Sequence, residues 1–241
     1  MFRQMHFAAL GVAIVAGGCM TTGQGTMSTG FINKTSLVGN SEVAYSVYVP
    51  RDYSPEKEWP LVIFLHGMGE RGSDGLLQTE VGIGRAIRRN PERFHCIVAM
   101  PQCPVTSVWP NRHDVIQAAL DQSLVDYSID KNRIYLTGLS MGGYGTWSFG
   151  AEHPEYFAAL LPVCGGGDPA KAASLATIPI RVYHGASDSV VAPEKSREMV
   201  DAVKAAGGKI EYTEYPGVDH NSWDQTYGDP EVIAWLLSQK K

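Results

Sequence analysis

The stretch Arg133-Ile-Tyr-Leu-Thr-Gly-Leu-Ser-Met-Gly-Gly-Tyr-Gly145 decides the fold of this chain. It joins an apolar run to a serine, Ser140, that has a glycine two positions away on either side, Gly138 and Gly142. This G-x-S-x-G spacing is typical of a nucleophile elbow, a sharp turn between a strand and a helix. Glycine fits there because the strained turn leaves no room for a Cβ atom. The N–H groups at the start of the helix would then face the serine and stabilise a developing oxyanion.

The same five residues could also form an ordinary βα turn whose serine only caps the helix. The surrounding pattern favours the elbow, because residues 134–137 predict a strand and the residues up to His153-Pro154 predict a helix.

Apolar runs and helical patterns alternate along the rest of the chain. Residues 60–66 are a continuous apolar run, as in a strand that is buried on both faces of a parallel sheet. Residues 43–49 alternate instead, and Gly39-Asn40 before them predicts a hairpin turn. Further strands are predicted at residues 96–100, 158–164, 178–184 and 210–215, and helices at 84–93, 115–127, 194–206 and after Asp229-Pro230.

This alternation predicts an α/β fold. We expect a mainly parallel central sheet of about eight strands, an antiparallel N-terminal hairpin, and helices on both faces. Only residues 165–177 separate two of the predicted strands at the place where a lid would be inserted, so no lid domain is expected and the site should be an open cleft. Loops at the carboxyl ends of the strands should hold that site.

The N-terminal residues have the pattern of an export signal. Residues 1–7 carry Arg3 and no acidic residue, residues 8–16 are apolar, and small residues precede Cys19. We predict a signal peptide at 1–18, and the ending resembles a bacterial lipobox with Cys19 as the lipidated N-terminus. Residues 19–35 are then a lipidated flexible tether and 36–241 the catalytic domain. A lipoprotein facing the periplasm is expected, with the outer membrane favoured by Met20; simple secretion is the alternative.

Composition excludes several kinds of partner. The chain has 241 residues and a formal net charge of −5, and no cluster of lysine or arginine suggests a nucleic-acid surface. No group of His, Cys and Asp has the spacing of a metal site, so neither a metal nor another cofactor is expected. Cys96, Cys103 and Cys164 are an odd number of cysteines, and we expect mostly buried free thiols.

A serine nucleophile needs a base and an acid that orients the base. In a fold of this type the chain order is serine, acid, histidine. His220 lies between the last predicted strand and the last helix, where the base belongs, and Asp188 follows the penultimate strand. Asp168 and Asp219 are the alternative acids; Asp219 is the less suitable, because neighbouring side chains rarely point at each other.

The loop after the first buried strand is the second part of the site. We predict that the main-chain N–H groups of Met68 and Met141 form the oxyanion hole, with Gly69 as the alternative to Met68. His66 is expected to order this loop. Glu70 is expected to pair with Arg71, and this ion pair should fix the loop. The alternative is that Arg71 recognises a carboxylate of the substrate.

Three further residues are candidates for contact with substrate. Trp109 and Trp223 could stack on a sugar or an aromatic acyl group, or could cover the edge of the core. Gln102 could hydrogen-bond the substrate or the oxyanion loop.

These motifs together resemble the α/β-hydrolase superfamily. Within it, the chain resembles a bacterial carboxylesterase/phospholipase-like group, also described as prolyl-oligopeptidase-like predicted peptidases. The resemblance spans roughly residues 36–238 and rests on residues 65–72, 101–103, 133–143, 164–167, 184–188 and 215–220. It implies hydrolysis of an ester by a serine, with feruloyl, acetyl-xylan and polyhydroxyalkanoate-type esterases among the relatives.

The sequence therefore predicts a serine esterase that acts through an acyl-enzyme. Short-chain acyl, acetyl or feruloyl esters are expected, either as small molecules or linked to polysaccharide. A serine peptidase of prolyl-oligopeptidase type and a non-catalytic binding protein on the same fold are the alternatives.

Overall fold

The computed structural model describes residues 28–241, which form one eight-stranded sheet with helices on both faces. The strands are β1 Gly30–Val38, β2 Ser41–Val49, β3 Trp59–Leu65, β4 Ile97–Pro101, β5 Ile129–Leu139, β6 Ala159–Val163, β7 Ile180–Gly185 and β8 Ile210–Tyr215. The helices are α1 Gly82–Arg89, α2 His113–Asp126, α3 Met141–Glu152, α4 Glu194–Ala205, α5 Trp223–Gly228 and α6 Pro230–Ser238.

The strand order is β1-β2-β4-β3-β5-β6-β7-β8. Strands β1 and β2 form an antiparallel hairpin that closes at Gly39-Asn40, and β2 is also antiparallel to β4. All other neighbours in the sheet are parallel. The predicted α/β-hydrolase architecture is confirmed.

Two predicted boundaries were wrong. Residues 30–35, placed in the tether, form the first part of β1, because Phe31 pairs with Tyr48 across the hairpin and the Arg88 guanidinium covers its ring at 4.2 Å. The helix predicted at 84–93 ends at Arg89, since a proline at 91 interrupts it. Helix α5 was not predicted.

The signal peptide, Cys19 and most of the tether lie outside the described residues. Within residues 28–241, none of the helices is both long and apolar enough to cross a membrane.

The core consists of two layers, one on each face of the sheet. Strand β3 shows how they arise: Leu61, Ile63 and Leu65 pack into one layer, and Val62 and Phe64 pack into the other. Successive side chains of a strand point to opposite faces, so a strand covered by helices on both sides must be apolar throughout. The continuous apolar run at residues 60–66 is therefore explained by the central position of β3 in the sheet.

The three described cysteines are buried and free, as predicted. Burial raises the pKa of the Cys103 thiol to about 11, so it is protonated at neutral pH.

Candidate active site

Ser140 lies at the turn between β5 and α3, with backbone angles of φ 53° and ψ −118°. A positive φ is rare for a residue with a side chain and marks strain. The backbone is packed too tightly around the turn for other side chains, because a Cβ on Gly142 would lie 1.9 Å from the Leu65 carbonyl oxygen. A Cβ on Gly138 would lie 2.4 Å from the carbonyl oxygen of Gly142. The elbow interpretation is confirmed in its geometry.

The three residues predicted to be catalytic meet at this turn. His220 Nε2 lies 2.9 Å from Ser140 Oγ, and His220 Nδ1 lies 2.7 Å from Asp188 Oδ2. A histidine that donates through Nδ1 to a carboxylate presents the lone pair of Nε2 to the serine hydroxyl. The arrangement can therefore accept the serine proton at the imidazole.

Backbone N–H groups fix the carboxylate of Asp188. Its other oxygen, Oδ1, accepts hydrogen bonds from the N–H groups of Val190 and Val191, both at 2.9 Å. Burial acts to raise the pKa of this carboxyl, but the hydrogen bonds from His220 and from the two N–H groups hold it below its usual value. The group is ionised at neutral pH and can stabilise an imidazolium beside it.

The two alternative acids have other partners. The Asp168 side chain accepts a hydrogen bond from the N–H of Ala170 at 3.0 Å and caps a short 3-10 helix. The Asp219 carboxylate accepts from the N–H groups of Ser189 and of His220, each at 2.8 Å. Neither carboxylate contacts the His220 ring, so Asp188 is the acid that the fold brings to the histidine.

A second imidazole, which the sequence analysis missed, contacts the same carboxylate. The buried His184 places Nε2 at 3.1 Å from Asp188 Oδ2 and 2.9 Å from the carbonyl of Val191, and its Nδ1 at 2.7 Å from Ser196 Oγ. His184 and Asp188 are the first and last residues of the segment 184–188, one of those on which the family resemblance rests. Their closeness in this segment was the signal from which the contact could have been predicted. The two imidazoles thus lie beside the same oxygen of Asp188, Oδ2.

The residues predicted for the oxyanion hole line the same cavity as Ser140. Met68 begins a 3-10 helix after β3, and Met141 is the first residue of α3. Their role as main-chain donors stays a prediction.

His66 orders the loop that carries Met68. The ring is fully buried; Nδ1 lies 2.6 Å from the Gly67 carbonyl, and Nε2 accepts from the N–H of Cys103 at 3.0 Å. This pattern requires a neutral imidazole protonated on Nδ1, and burial lowers its pKa to about 4.

Arg71 fixes the loop in a way that differs from the prediction. Its guanidinium donates to the carbonyls of Met68 at 3.1 Å and of Val105 at 2.9 Å, and no ion pair with Glu70 forms. Backbone carbonyls of the loops at residues 68 and 105 therefore bind the guanidinium in place of the expected Glu70 carboxylate.

For two of the three candidates for substrate contact, the structure supports the stated alternative: Gln102 hydrogen-bonds the oxyanion loop, and Trp109 packs in the core. Trp109 is 0% exposed and donates from Nε1 to the His66 carbonyl; it packs on α3 where Gly145 has no side chain. Gln102 is 1% exposed; its Nε2 donates to the carbonyl of Glu70 and its Oε1 accepts from the N–H of Gly75. Both side chains satisfy the backbone groups of buried loops instead of facing the cleft.

Trp223 does border the cleft. Its ring contacts the His220 ring edge to face, with 5.2 Å between centroids, and it lines a cavity that also contains Ser140. Contact with substrate stays a prediction for this residue.

Two groups of side chains within residues 28–241 have the composition of a metal site: Cys164 with the paired Asp188 and His220 at the Ser140 site, and a second group on α2 and at the end of α3. Ligand atoms of His113, Glu152 and His153 lie within 4.8 Å of one another, although sequence spacing gave no sign of it. His113 is already hydrogen-bonded on both nitrogens, to Glu152 and to Ser148 at 3.0 Å each. These contacts account for the group without an ion.

The profile of the dienelactone hydrolase family matches residues 89–228. The chain belongs to the dienelactone hydrolase family. The matched segment contains Ser140, Asp188 and His220, and the membership confirms the predicted class of hydrolase. The narrower resemblance to a carboxylesterase/phospholipase-like group stays a prediction.

Similar proteins include several esterases. A solved thermostable esterase is 40% identical, with a TM-score of 0.78 over 88% of this chain and 63% of that chain. Poly(3-hydroxyalkanoate) depolymerase C of Paucimonas lemoignei is 25% identical in a match that covers 66% of this chain and 46% of the depolymerase. This dienelactone hydrolase family member thus spans less than two thirds of each of these relatives.

The solved feruloyl esterase module of Clostridium thermocellum shares the fold. It has a TM-score of 0.70 at 19% identity, with 87% of this chain and 88% of the module covered.

Proposed function

We propose that this member of the dienelactone hydrolase family hydrolyses carboxylic esters, with Ser140 as nucleophile, His220 as general base and Asp188 as the acid that orients the base. The observation that carries the proposal is the continuous hydrogen-bonded line from Ser140 Oγ through His220 to Asp188, at a strained turn beside an open cavity of about 400 Å³.

Each step of the reaction has a group to perform it. Ser140 Oγ attacks the ester carbonyl carbon while His220 Nε2 takes the hydroxyl proton, and the carbonyl oxygen becomes an oxyanion held by the N–H groups of Met68 and Met141. The C–O bond to the alcohol then breaks, and His220 returns its proton to the leaving oxygen. Water, deprotonated by the same imidazole, attacks the acyl-enzyme and releases the acid. Asp188 stays ionised throughout.

An ester is favoured over a peptide for two reasons. The connection between β6 and β7 contains only a short 3-10 stretch, Pro169–Leu175, so the cleft is open to a bulky carrier. The similar solved proteins also include an esterase and a feruloyl esterase module. We propose short-chain acyl, acetyl or feruloyl esters as substrates, free or linked to polysaccharide. A solved protein of Bacteroides ovatus, classed by name as a dipeptidyl aminopeptidase IV, supports the peptidase alternative at the level of the fold, with a TM-score of 0.70 at 14% identity, whereas the relative at 40% identity is an esterase.

Hydrolysis of an ester panel tests the proposal. The purified protein is assayed with acetyl, butyryl and long-chain nitrophenyl esters, methyl ferulate, acetylated xylan and a peptide anilide, beside Ser140→Ala and a matched control, Ser238→Ala, on the exposed end of α6. We expect turnover of at least one short-chain or feruloyl ester, a loss of about 10⁴- to 10⁶-fold in Ser140→Ala, and no loss in the control. Equal rates in wild type and Ser140→Ala, or hydrolysis of the anilide alone, would refute the esterase.

We also propose export and anchoring of the chain through lipidated Cys19. The support is the sequence pattern of residues 1–19. Labelling of cells with a radioactive fatty acid should mark the wild-type protein in the membrane fraction and leave Cys19→Ser unlabelled; equal labelling of both would contradict the anchor.

A further inference from the structure

Two cavities meet at Ser140, and their walls differ in chemistry. The larger, about 400 Å³, is mainly apolar, with Val108, Pro110, Met141 and Val191 in its wall. The smaller, about 240 Å³, shares Met68, Ser140 and Val190 with the larger and also contains Leu139. It alone has Glu70, His220 and Trp223 in its wall, whereas the polar side chains of the larger are those of Ser140 and Tyr144. An ester bound at Ser140 must place its acyl part in one of these cavities and its alcohol part in the other.

The position of His220 decides between them. The leaving alkoxide must receive its proton from His220 Nε2, so the alcohol has to lie on the side of the imidazole. Of the two cavities, only the smaller has His220 in its wall. The alcohol therefore lies in the smaller cavity, and the apolar cavity takes the acyl group.

The Glu70 side chain lines that smaller cavity, and backbone N–H groups of residues 67 and 70 contact its carboxyl. Its Oε2 lies 3.9 Å from His66 Nδ1, beyond hydrogen-bond distance, and that nitrogen donates to the Gly67 carbonyl instead. No side chain within residues 28–241 donates a hydrogen bond to this carboxyl. Burial raises the pKa of Glu70 against the effect of nearby backbone N–H groups, which increases the share of the form that can donate as well as accept.

We propose that the smaller cavity binds an uncharged, hydroxyl-rich alcohol such as a sugar, with Glu70 hydrogen-bonding its hydroxyl groups and Trp223 stacking on its ring. The inference rests on the proposed ester hydrolysis and specifies its substrate class. An aromatic face beside a carboxyl group suits a sugar, which has apolar C–H faces and a rim of hydroxyls.

Charged alcohols fit less well. An anionic alcohol would be repelled by the Glu70 carboxylate. A quaternary ammonium is bound by a cage of several aromatic rings, whereas Trp223 and His220 are the only rings in the described lining of this cavity.

The test compares esters that share an acetyl group and differ in the alcohol. The purified full-length protein is assayed with 4-nitrophenyl acetate, methyl tri-O-acetyl-xyloside and acetylcholine. The variants are Glu70→Ala, Glu70→Gln and Trp223→Ala; the matched control is Glu58→Gln, an exposed glutamate outside the cleft. The readout is the ratio of kcat/KM for the sugar ester to kcat/KM for the aryl ester, which cancels any change common to both substrates.

We expect this ratio to fall about 10- to 100-fold in Glu70→Ala and about 10-fold in Trp223→Ala. In Glu70→Gln it should fall less, because an amide still hydrogen-bonds to hydroxyls, and in the control it should not change. An unchanged ratio, a parallel loss on both esters or a wild-type preference for acetylcholine would overturn the sugar assignment while leaving ester hydrolysis in place.

A binding experiment separates this inference from the proposed reaction. If wild type hydrolyses neither these three esters nor any ester of the wider panel, the proposed function fails. Binding of methyl xyloside to the wild-type protein, followed by NMR line broadening, then decides the sugar site. Binding that Glu70→Ala weakens at least tenfold supports the site, and absence of binding overturns it.

Discussion

Protonation of His66 should make the stability of this protein depend on pH. The buried imidazole has a pKa of about 4 in the folded chain, against 6.5 for the ordinary group. Between these values the unfolded chain binds a proton that the folded chain does not, so the free energy of unfolding falls as pH falls. The contribution is complete above pH 6.5 and lost as pH decreases to about 4.

The size of the effect follows from the two pKa values. At pH 5 the loss relative to neutral pH is about 2 kcal/mol, and the full loss is about 3 kcal/mol. Burial of the ring is the main cause of the lowered pKa. The geometry acts in the same direction: Nε2 accepts the N–H of Cys103, and a proton on that nitrogen would replace this hydrogen bond with two donors facing each other.

The pH dependence of the free energy of unfolding is measured by urea unfolding of wild type and His66→Asn, followed by tryptophan fluorescence at pH 7.5, 6.5, 5.5 and 4.5. His66→Asn should be less stable at neutral pH, and its disadvantage should shrink by about 2 kcal/mol or more toward acid pH, because it lacks the titrating ring. Other groups titrate in both proteins and cancel in the difference. A constant difference across this pH range would refute the reasoning.

Three further substitutions test the geometry around Ser140. Asp188→Asn should lower kcat/KM about 10⁴-fold by disturbing the tautomer of His220. Asp168→Asn, the matched change at the alternative acid, should have little effect. A larger loss of kcat/KM in Asp168→Asn than in Asp188→Asn would contradict the assignment. His184→Phe should lower the free energy of unfolding by about 1.5–3 kcal/mol in urea titrations, because Asp188 loses a donor; no loss would show that the contact contributes nothing. Gly142→Ala should destabilise by more than about 4 kcal/mol, because its Cβ would overlap the Leu65 carbonyl, whereas Gly228→Ala meets open space; similar melting temperatures for both would contradict the packing.

Much of the fold and of the serine–histidine–aspartate arrangement could be predicted from the sequence, because both depend on local patterns. The apolar run of β3 reflects a strand covered on both faces, and Ser140, Asp188 and His220 each follow a strand at the same edge of the sheet. Parallel strands bring their carboxyl ends together whatever the loop sequences are. Chain order was therefore enough to place Ser140 and His220, whereas Asp168 also follows a strand and only the contact with His220 selects Asp188.

Boundaries and loop side chains depend on contacts between distant segments, and there the sequence was a weaker guide. Residues 30–35 look like linker in composition but gain a partner strand in β2. His184 follows the pattern of a strand end, and its contact with Asp188 depends on how the loop 185–191 folds back. Neither the pairing of residues 30–35 with β2 nor the contact of His184 with Asp188 produces a periodic pattern in the sequence, so neither could be predicted from periodicity.

One physical cause explains why Gln102 and Trp109 do not face the cleft. The sequence left substrate contact open for both side chains, but the loops that carry them pack against each other and bury their own backbone groups. Buried carbonyl and N–H groups need partners, and Gln102 supplies them for residues 70 and 75 while Trp109 supplies one for His66. Arg71 does the same for two carbonyls. Glu70 lies in the same loop and satisfies no backbone carbonyl, since a carboxylate cannot donate. Its side chain lines the smaller cavity, and the proposed sugar site therefore predicts that Glu70 is the loop residue whose replacement changes which alcohol is released.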